Sequence, residues 1–183
     1  MKFTPKLFTL YSMNELCTQL GIPERLHRNG RAIDTEFLED ELVYRRFKVE
    51  GTKEDWHSNN QVSVKVFPIS NDSCNRSKYC ESPEDVLFNT RPSDEGKHYL
   101  DWGILSLEVS KLNDSNFSFQ QNSIQKLFLI KVEHIPSECM YPHSEIRVYE
   151  NGALIIQDKP KSIKSAIRKF LMDRKKIVKE PQF

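Results

Sequence analysis

Val62 to Phe88 reads VSVKVFPISNDSCNRSKYCESPEDVLF. Its opening alternates, with Val62, Val64 and Val66 on one face of an extended chain and Ser63 and Lys65 on the other. Pro68 lacks a backbone donor and ends that strand. Ile69 to Cys80 follows as a polar loop holding Asn75, Arg76, Lys78 and Tyr79. Ser82-Pro83-Glu84-Asp85 then has the form of a helix start: a capping hydroxyl, a proline at the first position and two acids that complement the helix dipole. A loop delivered onto a helix N-terminus can meet an anion. Here Glu84 and Asp85 already fill the positive end.

Upstream, residues 6–20, KLFTLYSMNELCTQL, carry a helical stripe that Gly21 and Pro23 stop. NELCTQLGIPERL resembles the first half of a helix-turn-helix, but Asn29-Gly30 puts a turn where a recognition helix would continue. Residues 41–49, ELVYRRFKV, alternate as a strand. Arg45 and Arg46 therefore point to opposite faces, and the one among apolar neighbours needs a partner. A structural carboxylate is favoured over a bound anion in that role.

Downstream, residues 89–101 form a second long loop and WGILSLEV (102–109) a buried strand. Residues 112–122 are polar, as loop or edge, and KLFLIKVE (126–133) is another strand. A loop at 135–143 leads to SEIRVY (144–149), the hairpin turn Asn151-Gly152 and a return strand at 153–157. Residues 161–178 close the series as a helix, apolar on one face and basic on the other. Strands and helices do not alternate, which argues against a doubly wound parallel sheet. The expected fold is α+β. It has one mixed or mostly antiparallel sheet of five to six strands, an N-terminal helix, one short internal helix and a C-terminal basic amphipathic helix. Residues 1–40 form a helical segment packed on the main domain, 41–158 the core and 159–183 the basic helix.

With 38% hydrophobic and 29% charged residues, the chain can bury a core and falls outside the disordered and membrane classes. Its apolar runs are too short to span a bilayer, and no secretory signal is read at the N-terminus. A cytoplasmic, bacterial protein is expected, with no membrane attachment. Cys17, Cys74, Cys80 and Cys139 lack zinc-ligand spacing and read as free thiols, with no metal site. Lys159 to Lys179 holds nine basic residues and one acid, leaving 18 basic and 25 acidic residues elsewhere. That basic tail suits nucleic acid or an acidic protein partner through residues 159–179.

His143 and Glu145 share one face of a strand, about 6.6 Å apart at about 3.3 Å per residue. They are the candidate catalytic pair, able to move a proton. Arg45 or Arg46, with Arg76 and Tyr79, are the candidate substrate-binding residues for a phosphate group. Glycine is scarce, which argues against a glycine-built phosphate cradle, and no cofactor is specified. The expected activity is that of a small enzyme or ligand-binding domain for a phosphate-bearing, nucleotide-like or nucleic-acid substrate. The alternative is a non-enzymatic protein- or nucleic-acid-binding module using the basic helix.

Tyr44-Arg45-Arg46-Phe47, the Asn75 to Asp85 stretch, the GILSLEV strand, Pro142 to Ile146 and the Lys-rich helix together resemble small bacterial proteins of unknown function, from about Leu42 onward. In residue order, Arg45 or Arg46, Ser63 and Glu145 resemble ADP-ribosyltransferase-like domains. Such domains use an Arg or His, a Ser or Tyr, and a catalytic Glu on successive strands.

Overall fold

The computed structural model describes residues 11–48, 62, 66–67, 72–91, 97–113, 116–121, 124–155 and 161–182. Helix α1 (Tyr11–Gln19) ends at Gly21, whose φ of 68° is the left-handed conformation of a helix stop. Glu24–Leu26 adds a single 3-10 turn, and Asn29 and Gly30 turn the chain with positive φ, so no second helix forms there. β1 (Leu42–Phe47) is the first strand. Of the strand expected at Val62 to Phe67, only Val62, Val66 and Phe67 lie within the described residues, and Val62 and Phe67 are buried.

The stretch Ile69 to Cys80, expected as loop, contains β2 (Asp72–Arg76), a central strand. Asp, Ser and Asn are poor strand formers. Here they are accommodated because both edges of β2 are paired, to β1 on one side and to β6 (His143–Glu150) on the other. Ser77–Tyr79 and Pro83–Leu87 are 3-10 turns. Ser82 makes no side-chain cap, so the expected helix start gives a tight turn rather than an α-helix. Next come β3 (Gly103–Glu108), α2 (Val109–Asn113), β4 (Asn116–Gln121) and β5 (Ile124–His134). Asn151 and Gly152, with φ of 51° and 81°, turn β6 back into the short β7 (Ala153–Leu154). α3 (Lys161–Met172) ends earlier than its amphipathic pattern suggests; residues 176–179 instead form β8 (Lys176–Lys179). Ile177 and Val178 therefore sit on an edge strand, partly exposed, and not on the helix face.

The eight strands form one sheet in the order β4-β5-β6-β2-β1-β3-β8, with β7 added on β6. Every described pairing is antiparallel, and the strand count exceeds the expected five to six. One face is covered by α3, which buries Ile163, Ile167, Phe170 and Leu171 against Val43, Phe47, Leu105 and Ile146. Each such side chain contributes roughly 1.5–3 kcal/mol of burial. The basic C-terminal segment is thus part of the core, not an appendage. Among the described residues, no helix is long and apolar enough to cross a membrane.

The N-terminal segment packs separately, where Cys17, Leu20, Ile22 and Leu26 meet Cys139 and Met140. Cys17 and Cys139 form a disulfide across 122 residues of sequence, which corrects the expectation of four free thiols. Sequence spacing could not anticipate it, because the two sulfurs meet only when α1 docks on the 135–142 loop. Cys74 and Cys80 are the free cysteines. Disulfides are rare in a reducing cytosol, so this bond bears directly on the cytoplasmic expectation.

Candidate functional site

The face of the sheet away from α3 carries the side chains of alternate residues: Tyr44 and Arg46 on β1, Ser73 and Asn75 on β2, His143 and Glu145 on β6. The 83–87 turn and the segment around Tyr99 and Trp102 rise over part of this face. They bury Val86, Leu87 and Ile104 and leave a cleft of about 400 Å³ beside them. Arg46, Arg91, Ser73, Asn75 and His143 line it, with Phe88, Tyr99 and Trp102 as aromatic wall.

Arg46 is held by neighbours of known geometry. Its Nη1 donates to the Val86 carbonyl at 2.8 Å, and its guanidinium lies 4.2 Å from the Tyr99 ring centroid. Tyr99 in turn packs on Trp102 at 4.6 Å between centroids. His143 is oriented from behind. Its Nδ1 lies 2.7 Å from the Ile135 carbonyl oxygen, which only accepts, so Nδ1 carries the proton. The other nitrogen, Nε2, faces the Ser73 hydroxyl at 3.4 Å. Asn75 is fixed by the Asp85 carbonyl and the Met140 sulfur.

Arg45 lines the cleft but reaches through to the opposite face of the sheet. Its Nε and Nη2 donate to the Val66 carbonyl at 3.0 and 2.6 Å, and its Nη1 to the Ser73 carbonyl at 2.6 Å. Buried Asp72 stands 3.6 Å from its Nη2. The arginine that shares a face with Val43 and Phe47 thus has a structural carboxylate partner, and the two arginines do diverge. Glu145 lies on the same face as His143 but outside the cleft lining; its Oε2 accepts from Arg147 Nε at 3.0 Å. Arg147 also meets Glu133 at 2.8 Å.

Arg76 and Tyr79 do not join this cleft. The Arg76 side chain is fully buried on the α3 side of the sheet, where Nε and Nη2 donate to Glu41 at 2.6 and 2.9 Å. Its Nη1 donates to the Asp34 carbonyl at 2.8 Å, and Phe37 stacks 4.0 Å away. The Tyr79 hydroxyl donates to Asp34, which also accepts from Lys78 at 2.8 Å. These bonds from Lys78 and Tyr79 hold the Asp34 carboxyl well below the usual carboxylate range. This group fastens the 31–41 segment to the sheet. One peptide link separates Arg76 from Asn75, but strand alternation sends their side chains to opposite faces.

The anion site imagined at the 83–87 turn is occupied from within. Asp85 is buried there, chelated by Arg25 at 2.8 and 3.1 Å, and accepts the Glu81 N–H at 2.9 Å. The sequence reading missed Ser73, Arg91, Tyr99 and Trp102. Ser73 lay in a supposed loop, and the other three sit in or beside a second loop whose residues carry no motif. Ser63, part of the ADP-ribosyltransferase-like order, lies outside the described residues. Among the described residues, no cluster of His, Cys, Asp and Glu is placed to hold a metal ion.

No protein-family model matches the chain, and no characterised protein or solved structure matches it either.

Proposed function

We propose that the chain is a small enzyme or ligand-binding domain whose cleft takes a phosphate-bearing ligand with a planar aromatic portion, as a nucleotide has. The observation behind this reading is the convergence of Arg46, Arg91 and His143 with the Tyr99 and Trp102 rings around one cleft of about 400 Å³. A guanidinium matches phosphate in geometry as well as charge, and rings offer a stacking surface to a base. Its size suits a small molecule or one to two nucleotides.

The test is a calorimetric titration with nucleoside monophosphates, with inorganic phosphate and the free nucleoside as controls. Trp102 fluorescence, read in a Trp56→Phe background, is a second probe. The nucleotide should bind more tightly than either control, and salt should weaken binding. Arg46→Ala should reduce affinity about tenfold to a hundredfold, the range for a lost hydrogen bond to a charged group. Absence of binding, or equal binding by Arg46→Ala, would rule the reading out.

The alternative, a protein- or nucleic-acid-binding module on residues 159–179, has the local excess of positive charge behind it. Several of those cations already have partners in the fold. Arg168 donates to the Phe67 carbonyl, Lys169 pairs with Asp173, Lys176 with Glu108, and Arg174 stacks on Phe170. The cleft is therefore the preferred site. A Lys161→Glu/Lys164→Glu variant leaves the packed face of α3 intact and should abolish salt-dependent RNA or DNA binding if the alternative holds.

A further inference from the structure

Ser73 and His143 form a pair on the cleft wall that ligand binding alone does not require. β2 and β6 run antiparallel with Asn75 opposite His143 and Ser73 opposite Glu145, so Ser73 and His143 are diagonal neighbours on one face. His143 Nε2 stands 3.4 Å from Ser73 Oγ, and the Ile135 carbonyl at 2.7 Å from Nδ1 holds the ring in the tautomer that leaves Nε2 as acceptor. That is the arrangement of nucleophile, base and orienting acceptor found in activated hydroxyls. Arg45, reaching from the other face, pins the Ser73 carbonyl at 2.6 Å. Ser73 is exposed, and both residues line the cleft.

We infer that Ser73 is a nucleophile with His143 as its general base, and that the cleft cleaves a phosphate diester bearing an aromatic or nucleoside group. The inference rests on the phosphate-binding reading of the same cleft. In the first step Ser73 Oγ attacks phosphorus, and its proton passes to His143 Nε2. The phosphorus–oxygen bond to the leaving alcohol breaks, and the imidazolium returns that proton to the departing oxygen. In the second step water attacks the phosphoseryl group, His143 takes the water proton, and Ser73 Oγ leaves with it. No oxidant, reductant or further reactant is consumed. Arg46 and Arg91 line the cleft where charge grows on the phosphoryl oxygens. A diester suits the cleft because, after attack by Ser73, the phosphorus still carries one ester, whose aromatic or nucleoside group can stay against the Tyr99 and Trp102 wall while water completes the second step.

The experiment uses the full chain with two probes, a fluorophosphonate and bis(p-nitrophenyl) phosphate. Mass spectrometry should find the fluorophosphonate adduct on the peptide carrying Ser73, and the diester should release p-nitrophenolate. Ser73→Ala should lose both, and His143→Gln should slow both by about a hundredfold or more. Each variant is checked for fold by circular dichroism and for nucleotide binding by calorimetry. No adduct, an adduct elsewhere, or unchanged turnover by Ser73→Ala overturns the assignment. Faster turnover of p-nitrophenyl phosphate than of the diester overturns the substrate class. Retained nucleotide binding without adduct defeats only the catalytic assignment; loss of binding in the wild-type chain defeats the ligand reading too.

Discussion

Arg76 shows what one side chain does when its surroundings, not its chemistry, decide its role. From sequence it is a cation in a polar stretch, suited to phosphate. In the fold it is fully buried and bound through two nitrogens to Glu41, itself buried. Removing one member of such a pair leaves the other charge desolvated, at a cost of about 3–5 kcal/mol. Arg76→Met should therefore lower the unfolding free energy by about that amount, measured in urea, and barely change nucleotide affinity at the cleft. Arg76→Met/Glu41→Leu should recover much of the loss, since neither charge is then orphaned. The opposite pattern is expected at Arg46, where substitution should reduce affinity more than stability. Residue type alone does not distinguish the two arginines. What does is the face each occupies, and parity along a strand is informative only once the strand is known.

Among the elements, β2 carries the largest difference between sequence and structure. Its five residues, DSCNR, have weak strand preference, yet they pair with neighbours on both sides. Their polar side chains meet residues far along the chain: Asp72 faces Arg45 as an ion pair at 3.6 Å, Asn75 donates to Met140 and Arg76 to Glu41. Local propensity cannot carry that information. By contrast β1, β3 and β6 and the Asn151-Gly152 turn were legible, because alternation and turn chemistry are local. The pairing of β1 with β3 places Gly103 beside Phe47, and a Cβ on Gly103 would meet the Phe47 ring at 2.4 Å. Gly103→Ala should destabilise the fold by about 1–3 kcal/mol through overpacking, seen as a lower urea midpoint. The Cys17–Cys139 bond ties α1 to the loop that ends at His143. For a loop of this length, its loss should cost about 4–5 kcal/mol in the chain-entropy account. Cys17→Ser, or reductant added to the wild-type chain, should shift the unfolding transition by that amount.

At the scale of the whole molecule, the 31–41 segment is strapped across one end of the sheet by groups that titrate. His134 accepts the Asp34 N–H on Nδ1 at 2.9 Å and donates from Nε2 to the Tyr141 carbonyl at 2.7 Å, so it is neutral. Burial holds its pKa below the ordinary 6.5. The unfolded chain thus takes up this proton more readily than the folded one. Its contribution to stability is present above about pH 6.5 and declines as the pH falls through and below that value. Asp34 has the conventional carboxylate sign: its contribution is present above its ordinary 3.8 and is lost on stronger acidification. Thermal unfolding between pH 7.5 and 5 should show a falling Tm. The step near pH 6 should be smaller in His134→Asn, which cannot take up the proton.

The sequence by itself determined the class, α+β with a mixed or mostly antiparallel sheet, because periodicity and turn residues act over a few positions. It also determined that Arg45 and Arg46 diverge and that His143 and Glu145 share a face, since alternation in a strand is geometric. Only the tertiary structure decided that a polar stretch becomes a central strand, that Arg76 is a buried structural cation and that Cys17 meets Cys139. It alone brought Ser73 to His143, beside Arg46 and two aromatic rings. Each of these depends on contacts between residues tens of positions apart. Their free energy comes from burial and from pairing desolvated polar groups, which no local pattern encodes.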